Sequence, residues 1–272
     1  MTVAAPGSTS HDDLAVSRAG HVGVIEIRRP PHNYFDDELV RRIADGLEAF
    51  ETDPDCRAVL LCSDGRAFCA GAYFGDGQAL DDAGQADGSP GDEDLRRLYA
   101  DAVRIFATSK PIVCAVQGPA IGGGLGLALA ADFRVAAPEA RFGANFTAIG
   151  LHPGFGLTVT LPRVVGHQTA GLLFATARRI TGDEALAIGL VDQVVPLSHL
   201  RDSAMGLAIE IAANAPLAVQ ATRKTLRLGL AEAVRDASLR EHGEQARLRR
   251  TSDFREGVRA AFARRKPEFK AR

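Results

Sequence analysis

PIVCAVQGPAIGGGLGLALAADFRVAA, residues 111–137, is the stretch that decides the fold. Its first run, residues 111–118, is almost continuously apolar and too short for a helix, the pattern of a strand buried on both faces. Gly122, Gly123 and Gly124 then open an apolar helical run over residues 125–131, and FRVAA at 133–137 reads as the next buried strand. Strand, helix and strand in close succession predict parallel strands joined by a helical crossover. Working outward, CRAVLLC at 56–62 repeats the buried-strand pattern, with helical periodicity over residues 95–106 before the central run. Asp36 and Asp37 open an earlier helix whose Leu39, Ile43, Leu47 and Phe50 fall on one face. Residues 14–28 read as two strands, LAVSR and HVGVIEIR, turned at Ala19 and Gly20. After Pro196 only amphipathic helices follow, over 200–213, 216–228, 230–249 and 253–266. The expected class is α/β. It divides into a disordered N-terminus (1–13), an α/β core (14–196) and a C-terminal helical domain for covering or oligomerisation (197–272). Within the core, residues 75–94 are rich in Gly, Asp and Ser and predict a mobile acidic loop.

Composition narrows the function. Hydrophobic residues make up 46% of the 272 and charged residues 24%, ordinary globular usage that excludes wholesale disorder. The 32 basic and 34 acidic residues leave a net charge of −2, so nothing electrostatic supports a nucleic-acid or anionic-membrane partner. No run approaches ~18 apolar residues, and the N-terminal residues lack a basic-then-apolar signal layout. Cys56, Cys62, Cys69 and Cys114 fit no metal-ligand spacing and sit in or beside apolar runs. They read as reduced thiols of a cytoplasmic protein with no metal.

Two glycine-rich segments follow the carboxyl ends of buried strands, where open α/β sheets place ligands: SDGRAFCAGAYFG at 63–75 and QGPAIGGGLGLALAAD at 117–132. The second runs into a helix start, whose unpaired N–H groups carry partial positive charge. A phosphate cradle would bring a Lys-Ser/Thr pair or a regular Gly-x-Gly-x-x-Gly, and neither is cleanly present. The other functional reading is half of an oxyanion hole completed by an N–H from the turn at Cys69–Ala72. Tight helix–sheet packing accounts for either glycine cluster taken alone.

Taken together and in order, these segments resemble the crotonase superfamily, the enoyl-CoA hydratase/isomerase family. IRRPPHNYF (27–35) is similar to its first substrate loop, GRAFCAGAYF (65–74) to its oxyanion and adenine turn, and AIGGGLGLALAADFRVA (120–136) to its second oxyanion segment. ARFGANFTAIGLHPGFGLTVTLPRVVG (140–166) is similar to its acyl-pocket segment, and ITGDEALAIGLVDQVVP and SDFREGVRAAFARRKPEF to its later signatures. The resemblance implies repeated β-β-α units with a C-terminal α-helical domain, assembly as a homotrimer or dimer of trimers, and a bent acyl-CoA ligand with no permanently bound cofactor. It maps the oxyanion amides to Ala72 and Gly123, the adenine contact to Ala70, and basic CoA contacts to Arg66 and Arg264. Tyr73, Phe74, Gly122, Asn145, Phe146 and Leu151 complete the expected substrate contacts.

The same mapping exposes a departure. Hydratases of the family add water with two glutamates, and those positions are Gly126 and Phe146 here. The carboxylate of some isomerases maps to Gly154. General acid–base help is worth ~10²–10⁴-fold, so standard hydration is not expected. His152, in GLHPG, is the remaining group in that segment with neutral-pH chemistry, a candidate acid or base against the favoured reading of a packed histidine satisfied by backbone. The expectation is therefore an enzyme that stabilises thioester enolates for decarboxylation, C–C cleavage or hydrolysis. The alternatives are an acyl-CoA carrier or sensor without turnover, and a weak hydratase or isomerase.

Overall fold

The computed structural model describes residues 13–73 and 91–272. The residues before Asp13, expected to be disordered, Phe74 and most of the expected acidic loop lie outside them. Strands β1 (Leu14–Ala19) and β2 (Val22–Ile27) form an antiparallel hairpin, with Leu14 opposite Ile27 and Ala19 opposite Val22. β2 then pairs in parallel with β3 (Ala58–Ser63), β3 with β4 (Ile112–Val116), β4 with β6 (Phe133–Ala136) and β6 with β9 (Gln193–Val194). A second sheet sets β5 (Pro119–Ile121) parallel to β7 (Arg141–Gly143), which pairs antiparallel with β8 (Arg179–Thr181). Strands β4 and β5 leading to a helix, and then β6 and β7, are the expected β-β-α repeat.

Period-two alternation in β3 divides its side chains between two cores. Val59 and Leu61 face the larger core with Ile43, Leu47 and Phe50 of α1 (Asp37–Thr52). Ala58, Leu60 and Cys62 face the other way. There they meet Leu200, Ala204, Ala208 and Ala212, one stripe of α7 (Leu200–Ala212). The C-terminal helices thus share both cores with the α/β part. Leu230 and Val234 of α9 (Leu230–Leu248), and Phe254 and Val258 of α10 (Ser252–Phe262), belong to the larger one. Between them in the chain, α8 (Pro216–Leu226) is tied down electrostatically: Arg223, with Arg227 just beyond it, pairs with Asp132 at 2.8 and 2.9 Å.

Two boundaries differ from the sequence reading. Helix α2 (Asp92–Ala107) begins before Leu95, because Gly91 caps it and Asp92, Glu93 and Asp94 fill its first turn, where negative charge suits the helix dipole. The last acidic residues of the expected loop are therefore helical. Asp13 is held rather than frayed, paired with Arg29 and Arg42. No single helix among the described residues is long and apolar enough to cross a membrane.

At the end of α1, Lys110 is buried and answers carbonyls rather than a carboxylate. Its Nζ donates to Phe50 O, to Asp53 O at 2.5 Å and to Cys56 O at 2.7 Å. A cation there complements the negative helix terminus. Lys110→Met orphans those carbonyls and is expected to cost about 2–4 kcal/mol in a urea titration. An unchanged unfolding midpoint would show that water replaces the ammonium without loss.

Candidate active site

Two turns meet to make the site. The turn after β3 is stitched to β5 like a strand, with Cys69 N–H donating to Pro119 O (3.1 Å) and Ile121 N–H to Cys69 O (3.0 Å). Gly71 at φ +84° and Gly122 at φ +57° take left-handed conformations that side chains resist. Contact is close enough to exclude side chains on other grounds too. A Cβ on Gly71 would lie 2.8 Å from Ile121 O and 3.4 Å from Gly123 N, and one on Gly124 would lie 2.0 Å from Cys69 O. Gly123 begins helix α3 (Gly123–Ala130), behind Gly122 as its N-cap. Its N–H is among the first-turn amides that a helix cannot satisfy. Gly122 N–H donates to Gly143 O, and Leu125 and Gly126 N–H to Gly122 O, but no described group accepts from Gly123 or Ala72. The Ala72 bridge to Phe35 is closed by the Phe35 N–H donating to Gly71 O (3.0 Å).

The substrate-loop side is fixed by Asn33, fully buried, whose Nδ2 donates to Asp64 O (2.6 Å) and Ala67 O (2.7 Å) while its Oδ1 accepts from Arg29 N–H. This sets His32, Tyr34 and Tyr73 in a row at the mouth, His32 tilted against Tyr34 at 5.5 Å and Tyr34 edge-on to Tyr73 at 5.4 Å between ring centroids. Burial, with Tyr73 adding to it, raises the Tyr34 hydroxyl above its ordinary pKa.

These turns open on a cavity of about 600 Å³. Of the residues singled out in the sequence, Ala70, Ala72, Tyr73, Gly122, Gly123, Asn145, Phe146 and Arg264 line it. Arg66, Leu151 and His152 do not. Arg66 is exposed, and Leu151 is buried in the larger core. The His152 ring has its Nδ1 2.8 Å from the Pro153 carbonyl, a backbone partner that holds it away from the cavity. Cys69 is fully buried in the turn, and burial pushes its thiol up to about 12, so it is inert at neutral pH.

The sequence reading passed over much of the wall. Leu95, Leu98 and Tyr99 come from α2, Phe155 from the segment before α4 (Leu157–Val165), and Gln245 and Arg249 from α9 and its C-cap. Phe155 sits at φ +63° and packs its ring against α3: a Cβ on Gly126 would lie 2.8 Å from Phe155 Cβ and Cδ1. A Cβ on Gly154 would lie 2.2 Å from the Tyr99 hydroxyl. That hydroxyl donates to Gln245 Oε1 at 3.0 Å, and Gln245 Nε2 donates to His152 O at 2.8 Å. One turn earlier on α9, buried Glu241 accepts from Gly156 N–H (2.7 Å), Thr158 N–H (3.0 Å) and Thr158 Oγ1 (2.6 Å), capping α4 from outside its own chain segment. Burial holds its carboxyl above the usual range, against those hydrogen bonds. A signal for this stripe exists in the sequence: Glu241, Gln245 and Arg249 continue, four residues apart, the face that Leu230 and Val234 begin.

No Asp or Glu among the described residues lines the cavity, whereas Arg179, Arg249 and Arg264 do. The rest of the wall is mainly apolar and aromatic, with the polar side chains of His32, Asn145 and Gln245 and two unanswered amides at the glycine turns. This arrangement suits a long ligand with an acyl carbonyl at one point and negative charge elsewhere.

Comparison with known proteins agrees with that reading. A family model described as enoyl-CoA hydratase/isomerase matches residues 17–272. The short-chain-enoyl-CoA hydratase of Clostridium acetobutylicum is 33% identical over 96% of this chain and 99% of its own. The crystal structure of an enoyl-CoA hydratase/isomerase from Pseudoalteromonas atlantica superposes with a TM-score of 0.80 at 34% identity, covering 95% of this chain and 100% of that one. An enoyl-CoA hydratase from Mycobacterium avium subsp. paratuberculosis gives 0.83 at 29% identity, covering 95% and 98%. With the family model matching residues 17–272 and the relatives covered almost end to end, the chain belongs to the enoyl-CoA hydratase/isomerase family, whose members act on acyl-CoA.

Proposed function

We propose that this chain binds a CoA thioester with its carbonyl oxygen between the Ala72 and Gly123 amides and stabilises the enolate formed there, without adding water by the two-glutamate route. The observation that carries the reading is a pair of acceptor-free amides in a cavity that no described carboxylate lines. Charge moving onto the thioester oxygen is met by donors already in place, which need no reorganisation during the reaction. The hydratase carboxylate positions support the second half. Gly126 is backed by the Phe155 ring, and Phe146 presents only hydrocarbon. Decarboxylation and C–C cleavage generate an enolate by bond breaking at the neighbouring carbon and ask for no carboxylate base at that step. Hydrolysis uses the same amides for its tetrahedral oxyanion. For the rest of the ligand, Arg179 and Arg264 at the cavity and exposed Arg66 near its turn suit CoA phosphates, and Ala70 suits the adenine. Exposed Leu217, Leu226 and Leu228 on and after α8 support assembly into a homotrimer or a dimer of trimers.

A second reading, a carrier of acyl-CoA without turnover, draws on the same lack of carboxylates. One experiment separates them: crotonyl-CoA hydration and acyl-CoA affinity are measured in parallel, with CO₂ and free-CoA release from malonyl-CoA. Expected are binding, release above the uncatalysed rate, and hydration ~10²–10⁴-fold below the ordinary enzyme range of ~1–10³ s⁻¹. Binding without product from either thioester leaves the carrier reading. Hydration inside the ordinary range overturns the proposal.

A further inference from the structure

We infer that Glu256 is a positioning residue for the CoA end of the ligand, because it locks the chain reversal that holds Arg264 at the cavity. The inference rests on the acyl-CoA reading above and adds to it a residue that does not itself line the cavity. Helix α10 ends in a Schellman turn, with Arg264 N–H donating to Ala261 O at 3.2 Å and Arg265 N–H to Ala260 O at 3.0 Å. The first residue past such a helix end takes a left-handed conformation, and glycine usually occupies it because it has no Cβ to crowd the backbone. Here the residue is Arg264, at φ +52°. An arginine keeps that backbone only where its surroundings over-determine it. Val258, Ala261 and Phe262 line the cavity beside it, so the course of the chain as it leaves α10 sets where the Arg264 side chain starts.

Glu256, two turns back on α10, supplies the constraint. Its Oε1 accepts from Arg265 Nη1 at 2.5 Å and its Oε2 from Arg265 Nη2 at 2.9 Å, a paired guanidinium–carboxylate contact directly after the left-handed residue. Oε1 also accepts the Glu268 N–H at 2.9 Å. One side chain thus grips the chain both immediately past Arg264 and again a turn's length further on. An exposed ion pair alone contributes little, but this carboxylate side chain is only 17% exposed and holds a backbone N–H as well. Asp253 repeats the arrangement nearer the start of α10, its Oδ1 accepting from Lys270 N–H (2.7 Å) and its Oδ2 from Ala271 N–H (2.8 Å). The last residues therefore lie back along α10, and none of residues 265–272 lines the cavity. The two adjacent arginines divide the work: Arg265 is held by the chain's own carboxylate, and Arg264 is left facing the ligand.

The test is a double-variant cycle on the full chain, with crotonyl-CoA carrying ¹³C at its carbonyl as the ligand. Calorimetry reads its affinity, and the infrared shift of the labelled carbonyl reads the oxyanion site. Arg264→Gln is expected to weaken binding about tenfold, and Glu256→Gln about three- to tenfold. In the Arg264→Gln background, Glu256→Gln is expected to add less than about twofold, because the side chain it positions is gone. The carbonyl shift of the saturated complex is expected to persist in Glu256→Gln, and its loss along with affinity would mark a general loosening of the site and overturn the inference. Suppose instead that Arg264→Gln weakens binding and Glu256→Gln does not, or that Glu256→Gln costs as much without Arg264 as with it. The inference then falls and the acyl-CoA reading stands. Binding untouched by Arg264→Gln removes Arg264 from the phosphate contacts and the inference with it. Failure of the unaltered protein to bind the thioester overturns both readings together.

Discussion

Gly126→Glu is expected to damage the fold. The first atom of the new side chain would lie 2.8 Å from Phe155 Cβ and Cδ1 and 3.0 Å from Cγ, well inside contact distance. Gly126 is buried in α3, and Phe155 is fully buried on its other side, so neither can yield cheaply. Overpacking and a carboxylate buried without a cationic partner together set an expected loss of about 3–5 kcal/mol. Chemical denaturation reads it directly. The ring is also the stated cause, which a double variant can check. Phe155→Gly opens a cavity by itself, but combined with Gly126→Glu it vacates the space the glutamate needs. The pair should therefore lose less than the sum of its parts by more than about 1 kcal/mol. Strict additivity, or a fully stable Gly126→Glu, would mean that the ring does not fill that position.

The second large effect is chemical. Removing the Gly123 N–H without adding atoms, by exchanging that amide for an ester, should lower turnover on any accepted thioester by ~10²–10³-fold, the usual cost of one oxyanion donor. The carbonyl polarisation of a bound conjugated acyl-CoA, seen as a red shift, should fade with it. A side-chain substitution cannot make this test, because a Cβ on Gly123 would lie 2.3 Å from Phe35 Cζ. Stability should fall by about 1 kcal/mol or less, since no described group accepts from that amide and only the Gly122 carbonyl, the acceptor for Leu125 and Gly126 N–H, is weakened. The same exchange at Leu125, whose N–H donates to Gly122 O at 3.1 Å, supplies the contrast: about 1 kcal/mol of stability lost and the red shift kept. A red shift unchanged by the Gly123 exchange would remove Gly123 from the proposed pair.

The course of the chain was readable because its strongest signals are periodic. Buried strands β3 and β4, the α1 stripe Leu39–Ile43–Leu47–Phe50 and the later helices all lie where apolar spacing puts them. The start of α2 was missed because its first turn is acidic, which composition alone assigns to a solvated loop and the helix dipole assigns to an N-terminus. At the site, the glycines were legible and the ring that fills their space was not. Gly126 is visible as a glycine in any reading, whereas Phe155 reaches it from a separate segment through a left-handed backbone. His152 shows the complementary failure: its place in the chain is near the cavity, but a carbonyl one residue away takes its ring nitrogen. Tyr99, Gln245 and Arg249 stand far from the glycine turns in the chain and meet them only because α2 and α9 pack together.

The interlock of the two glycine turns bears on how such a protein can change over time. The side chains around the cavity come from several elements and can be exchanged singly by inheritance. The amide pair cannot, because Gly71 presses on Ile121 O, Gly124 on Cys69 O and Gly118 on Arg66 O, all within 3 Å of any added carbon. A lineage can therefore discard one reaction and acquire another while the interlocked glycine turns pass down unaltered.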